Sequence, residues 1–297
     1  MGRGVLTVGV LGAGVVAALL VVSLGQAGSR GGEVPAEPVT MREPATPPAS
    51  TSPPPSPDEQ ARIGGAVEDA VRSVVSGADV GLAVYDRLAG APVAGVHGER
   101  QFYAASVVKL LIAIDLLRDA GWPSDDATRE TLASLLATSD DGVADALWRD
   151  GGGRSIVSDI GGLIGLRWTT PPNQPREWEM TRTSAVDVVA VYRYIGQDLP
   201  TTARDLIVSS LTGPGDAAAD GFDQFFGIPA GFPGAEWGVK QGWMRAAGHL
   251  VLHTTGLVGE DGRYLVALLT HQPSATAYER GTDAVTAGAA ALAGATT

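Results

Sequence analysis

The chain has 297 residues, with 21 Lys and Arg against 33 Asp and Glu, for a net charge of −12. That size allows one large domain or two smaller lobes with a buried core, and an acidic chain with no basic patch excludes nucleic acid as an expected partner. There is no cysteine, which excludes disulfides, thiolate chemistry and lipid attachment at Cys; the four His (His97, His249, His253, His271) have no metal-ligand spacing, so no metal and no cofactor are expected.

Residues 1–28 open with Arg3 and an uncharged, mostly apolar run from Val5 to about Gly25. Roughly 20 apolar residues span a bilayer, so an uncleaved membrane anchor is expected. A secretory signal cleaved near Gln26-Ala27-Gly28 is the alternative. Both place the rest of the chain outside the cytoplasm. Residues 29–55 hold eight prolines among Ala, Ser, Thr and Glu. Such a composition cannot form a core and predicts an extended linker.

Ser56-Pro57-Asp58-Glu59 is a capping box with proline at the first helical position, and the folded domain is expected over residues 56–297. Ile63, Val67, Val71 and Val74 follow at helical spacing. Val80–Tyr85 and Pro92–His97 read as a hairpin. An apolar helix begins near Ser106 and runs through Leu117, placing Ser106 and Lys109 one turn apart. A serine at a helix N-terminus beside an amine can be deprotonated, and the local field favours its oxyanion. Helices are then predicted over 128–137, 143–148 and 155–164. An irregular loop covers 166–175. A helix capped at Thr183-Ser184 carries Val188, Val191 and Tyr192 inward, and another spans 201–211. Three strands follow at 236–243, 248–257 and 263–271, then an Ala-rich helix over 274–293. Strands at both ends with helices between predict one sheet built from the two ends of the domain, flanked by the terminal helices, with a helical lobe inserted.

Three short motifs stand in order: Ser106-x-x-Lys109, Ser139-Asp140-Asp141, and Lys240-Gln241-Gly242 on a late strand. Over residues 57–297 this resembles the penicillin-recognising serine hydrolases, the class A β-lactamases and D-alanyl-D-alanine peptidases, marked by Ser-x-x-Lys, Ser-Asp-Asn and Lys-Thr-Gly. The resemblance implies an α+β fold of the β-lactamase/transpeptidase type: an antiparallel sheet, terminal helices and an all-helical lobe. It also implies a monomer that takes a small-molecule or peptide substrate, with peptidoglycan a candidate partner. Ser106 would be the acylated nucleophile and Lys109 its base. Ser139 would relay a proton to the leaving nitrogen, and Lys240 would hold the substrate carboxylate and tune Ser139. The backbone N–H groups of Ser106 and Trp243 would form the oxyanion hole. Asp141, Gln241, Gly242 and His249 fall at substrate-binding positions.

The chain departs from that pattern. Asp141 replaces Asn, so an amide donor becomes a carboxylate that only accepts, and a carboxylate near Lys109 favours its ammonium form. Gln241 replaces a hydroxyl residue, and His249 falls where an arginine is common. Thr169 stands where class A enzymes carry the Glu that activates the deacylating water; Glu177 and Glu179 are the nearby carboxylates. The expected function is therefore an extracytoplasmic serine acyl-hydrolase acting on β-lactams or peptidoglycan peptides. The alternatives are a degenerate binding or scaffolding protein of the same fold, or a small-ester esterase.

Overall fold

The computed structural model describes residues 53–122, 125–212 and 217–296. The expected anchor and nearly all of the Pro-rich segment lie outside them. Among the described residues no helix is long and apolar enough to cross a membrane.

Helix α1 (Pro57–Val74) starts at the capping box: the Ser56 hydroxyl accepts from the Glu59 N–H at 3.3 Å, and Pro57 opens the first turn. Its apolar stripe buries Ile63, Val67 and Val71. Strands β1 (Asp79–Asp86) and β2 (Ala91–Val96) form the hairpin, and a two-residue strand β3 (Phe102–Tyr103) follows. Helix α2 (Lys109–Asp119) begins later than the sequence suggests. Ser106 sits in a 3₁₀ turn, Ala105–Val108, ahead of it. With three residues per turn a 3₁₀ segment eclipses positions i and i+3, so the tighter winding still sets Lys109 behind Ser106. The lobe continues with α3 (Asp126–Leu132), a π-helical turn (Ala133–Ala137), α4 (Asp141–Asp150) and α5 (Arg154–Ile164). Then come β4 (Arg182–Thr183), α6 (Ala185–Gln197), α7 (Thr201–Thr212) and the short α8 (Ile228–Gly231). The chain closes with β5 (Trp237–Ala246), β6 (His249–Val258), β7 (Tyr264–Pro273) and α9 (Tyr278–Thr296).

The main sheet has the order β2-β1-β7-β6-β5 and is antiparallel throughout. Its two halves come from opposite ends of the domain, joined where β1 pairs with β7. Apolar clusters lie against both faces. One joins the sheet to α1 and α9 through Val67, Val71, Leu250, Leu268 and Val285. The other joins it to α2 and α6 through Leu110, Ile114, Val188, Leu257 and Leu269. Burial on both faces is why β6 and β7 are buried almost end to end rather than at alternate residues, with β7 reading as an apolar run over Leu265–Leu269 and β6 taking His253, Thr254 and Thr255 into the interior. The two-stranded β3–β4 ribbon and α8 had no separate signal in the sequence; at two and four residues they are too short to show a period.

Candidate functional site

Two non-glycine residues in the left-handed region mark the site. Ala105, beside the serine, has φ 47°, and Ser139 has φ 54°. Such backbone costs on the order of 1 kcal/mol or more and persists only where neighbours impose it. The π-helical turn Ala133–Ala137 leads directly to Ser139, and the Asp140 N–H donates to Ser134 O at 2.9 Å. Asp140 then caps α4, accepting from the Gly142 and Val143 N–H groups at 2.8 and 3.1 Å. The three residues of this motif thus divide their roles: Ser139 turns inward, Asp140 caps, and Asp141 opens the helix.

The Ser139 hydroxyl, in a residue only 4% exposed, receives two buried amines: Lys109 Nζ at 3.1 Å and Lys240 Nζ at 2.9 Å. With both lone pairs taken, its own O–H is left to donate. Lys109 also donates to Ser139 O at 2.6 Å and to Asp141 Oδ1 at 2.6 Å, and stands over the Trp178 ring at 4.8 Å. An ammonium has three protons, and all three are taken. No hydrogen bond reaches the Ser106 hydroxyl from Lys109 or from any other described residue, although Ser106 is 94% buried. Burial pushes the Lys109 amine below the usual lysine range, and Asp141 opposes that shift. Lys240 is pushed well down by burial first and by Lys109 second.

Lys240 is held by the strand register. It pairs with Thr255 on β6; the Thr255 hydroxyl donates to Lys240 O at 2.7 Å and shares a 2.9 Å hydrogen bond with Tyr192 of α6. At Gly242 a Cβ would meet Val107 Cγ2 at 3.1 Å and Ala104 O at 3.2 Å, so a glycine lets edge strand β5 run against the turn that carries Ser106. Trp243 follows, its indole stacked on Phe222 at 4.8 Å and donating to Asp220 at 3.1 Å.

Other expected residues are not brought to this point. The Gln241 amide donates to Gln224 O at 3.1 Å and Phe226 O at 2.7 Å, and it is 99% buried, so it fastens the segment before α8. His249 pairs with Ala246 and Pro273 at the end of the sheet and stacks on His271 at 4.7 Å. Neither lines the cleft that opens over Ser106. Thr169 donates to Asp187 Oδ2 at 2.8 Å and meets the Thr183 hydroxyl at 2.9 Å. Its hydroxyl therefore braces the loop.

The cleft over Ser106 has a volume of about 380 Å³; its walls include Asp141, Asp145, Arg176, Glu179 and Met244. Three of these, Asp145, Arg176 and Met244, carried no motif in the sequence. They come from three elements, Asp145 from α4, Met244 from β5 and Arg176 from the long loop, which two indoles fasten to the lobe. Trp178 Nε1 donates to Asp145 at 2.7 Å, and Trp148 Nε1 donates to Pro175 O at 2.7 Å. Among the described residues no group of three His, Asp or Glu is arranged to hold a metal ion.

Solved structures similar to this chain define the fold as that of the penicillin-recognising serine hydrolases. A class A β-lactamase from Bacteroides cellulosilyticus superposes with a TM-score of 0.63 at 15% identity, over 77% of this chain and 97% of its own. A β-lactamase from Streptomyces albus G does so with 0.63 at 22%, over 79% and 99%. PBP-A, of which a variant is known as an acyl-enzyme complex with penicillin G, gives 0.61 at 19%, over 78% and 95%. No family model matches the sequence. Curated proteins do: "Putative lipoprotein LppW" of Mycobacterium tuberculosis and of Mycobacterium bovis are each 35% identical over 214 residues, which is 69% of this chain and 67% of theirs. The chain belongs to the family of these LppW proteins.

Proposed function

We propose that this protein is an extracytoplasmic serine acyl-hydrolase that forms an acyl ester on Ser106 and releases it slowly. The observation that carries this reading is a buried, unpartnered serine hydroxyl opening into a cleft, backed by a second serine held between two buried lysine amines. In the step proposed, Ser106 Oγ adds to a substrate carbonyl, neutral Lys109 takes the Ser106 proton and passes one of its own to Ser139, and the Ser139 O–H gives its proton to the departing nitrogen as the amide C–N bond breaks. Lys240 holds Ser139 in place, and the N–H groups of Ser106 and Trp243 face the developing oxyanion. Water then cleaves the ester to the free acid and restores Ser106. Thr169 has no acid–base capacity and is bonded to Asp187, which is the reason for slow release. β-Lactams and peptidoglycan peptides are the substrate class that the fold supports.

The name lipoprotein given to its relatives supports a place at the outer face of a membrane. With no cysteine for a lipid, attachment here falls to the apolar Val5–Gly25 stretch.

A second reading, a binding protein with no turnover, is favoured by the grip of Asp141 on Lys109. Incubation of the full chain with a fluorescent penicillin, followed by intact-mass measurement, separates the two. The first reading expects one adduct, lost in Ser106→Ala. An unlabelled chain at high penicillin concentration sinks it.

A further inference from the structure

The charge on the cleft walls has the wrong sign for an anion. Asp141, Asp145 and Glu179 line it, against a single wall cation, Arg176. Asp140 and Asp220 lie close enough behind to act on Lys109 as well. Of the two buried lysines, Lys240 is turned onto Ser139 and Lys109 is committed to Ser139 and Asp141, so Lys109 offsets Asp141 and neither offsets Asp145 or Glu179. Neither Gln241 nor His249 faces the cleft, so the positions expected to receive a carboxylate do not supply a donor there. Asp141 is paired with Lys109, and one oxygen of Asp145 is taken by Trp178. Glu179 has no ion pair and no hydrogen bond to another residue among the described residues. Its carboxyl is pushed up by burial first, against the pull of its own backbone N–H, and then by the neighbouring Glu177, Asp141 and Asp145. A neighbouring hollow of about 610 Å³, walled by Trp148, Arg149 and Gly152, shares Asp145 and Arg176 with it, so the acidic stretch is the part over Ser106. Independently, the unpartnered Ser106 hydroxyl, in a residue 6% exposed, opens into the same space and marks it as a place where a ligand is met.

We propose that the cleft selects an acyl donor bearing an ammonium group, such as a peptide with a free side-chain amine, and that Glu179 is the residue that determines this specificity. A cation entering between the three carboxylates relieves their mutual repulsion, whereas a second anion adds to it. The inference rests on the acyl-hydrolase reading for the word donor, but the preference for a cation is a binding property and is measurable without turnover.

The test uses the full chain carrying Ser106→Ala, so that no chemistry intervenes. Isothermal titration compares Nα-acetyl-lysyl-D-alanyl-D-alanine with its Nα,Nε-diacetyl counterpart, in which an added acetyl group removes the amine charge; the Glu179→Gln arm separates charge from bulk. The free amine is expected to bind roughly tenfold tighter or better, and adding Glu179→Gln is expected to remove most of that preference. Equal affinities, no binding of either peptide, or a preference unchanged by Glu179→Gln overturns the proposal. A chain that takes no penicillin at Ser106 yet keeps the amine preference would defeat the enzymatic reading and leave the cation site standing.

Discussion

At Ser139 one hydroxyl serves two buried amines, and a single carboxylate decides what the first of them can do. Burial lowers the Lys109 pKa; Asp141, 2.6 Å away, holds it up and takes one of its protons. Asp141→Asn removes the charge and keeps a carbonyl acceptor. The Lys109 pKa should then fall further, and each unit of fall gives roughly tenfold more free base at fixed pH. We expect acylation of Ser106 by penicillin to accelerate by about that factor, read from the time course of adduct mass. A rate that stays level would remove Lys109 from the role of base. The same residue explains why sequence alone left the outcome open. The motif named Asp141, but only the fold shows that its side chain, 67% exposed, turns to the lysine.

At the scale of elements, the site depends on how edge strand β5 and ribbon strand β3 meet the 3₁₀ turn. Gly242 sets the first contact. In Gly242→Ala the new Cβ presses on Val107 and the Ala104 carbonyl, so β5 and the Trp243 N–H must shift by tenths of an ångström. Acylation should drop by about one to two orders of magnitude while the melting temperature changes little, because removing an oxyanion donor outright costs about 2.7–4 kcal/mol and a displaced donor loses part of that. Adduct formation and thermal melting on the same sample check the pair.

Two histidines set the second contact. His253 accepts the Thr270 N–H on Nδ1, so its Nε2–H donates to Tyr103 O at 2.7 Å, while the Tyr103 N–H donates to His271 Nε2 at 3.0 Å. Both rings must be neutral for this. Burial pushes His253 down to about 4, and burial with the neighbouring His253 and His249 pushes His271 down to about 3. Unfolded histidines titrate near 6.5. Below that pH the unfolded chain binds protons that the folded chain refuses, so stability falls as pH drops from about 6.5 toward 4. Asp115, held up at about 6 by burial, works in the opposite direction. In an Asp115→Asn background the loss should approach about 1.4 kcal/mol per pH unit from His253 alone, seen as a falling denaturation midpoint between pH 6.5 and 4.5. A flat midpoint would contradict the tautomer assignment.

For the molecule as a whole, the sheet closes only when both ends of the domain are present. β1 is placed between β2 and β7, and α1 packs with α9 over the same face. Because Ser56 caps α1, the folded unit is proposed to start there. A chain beginning at Pro53 should melt at the same temperature as the full chain, whereas one beginning at Ala78, without α1, should not fold cooperatively. Circular dichroism melts of the two decide this. Loss of stability in the first would place part of the core upstream of the cap.

Periodicity and punctuation in the sequence determined the elements: the Ser56 cap, the apolar run of β7, and the helix carrying Tyr192 all depend on neighbours within a turn or a strand length. The ordered motifs determined the fold type, because their order along the chain does not depend on how side chains finally turn. Only the tertiary structure decided which motif residues meet. Lys109, Ser139 and Lys240 converge across separations of 30 and 101 residues, whereas Gln241 and His249 are turned to other partners. It also decided the sign of the cleft, since Arg176 and Glu179 are brought beside Asp145 of α4 by two indole hydrogen bonds that fasten a loop without any period of its own. Long-range packing sets those positions, and a linear pattern carries no record of it.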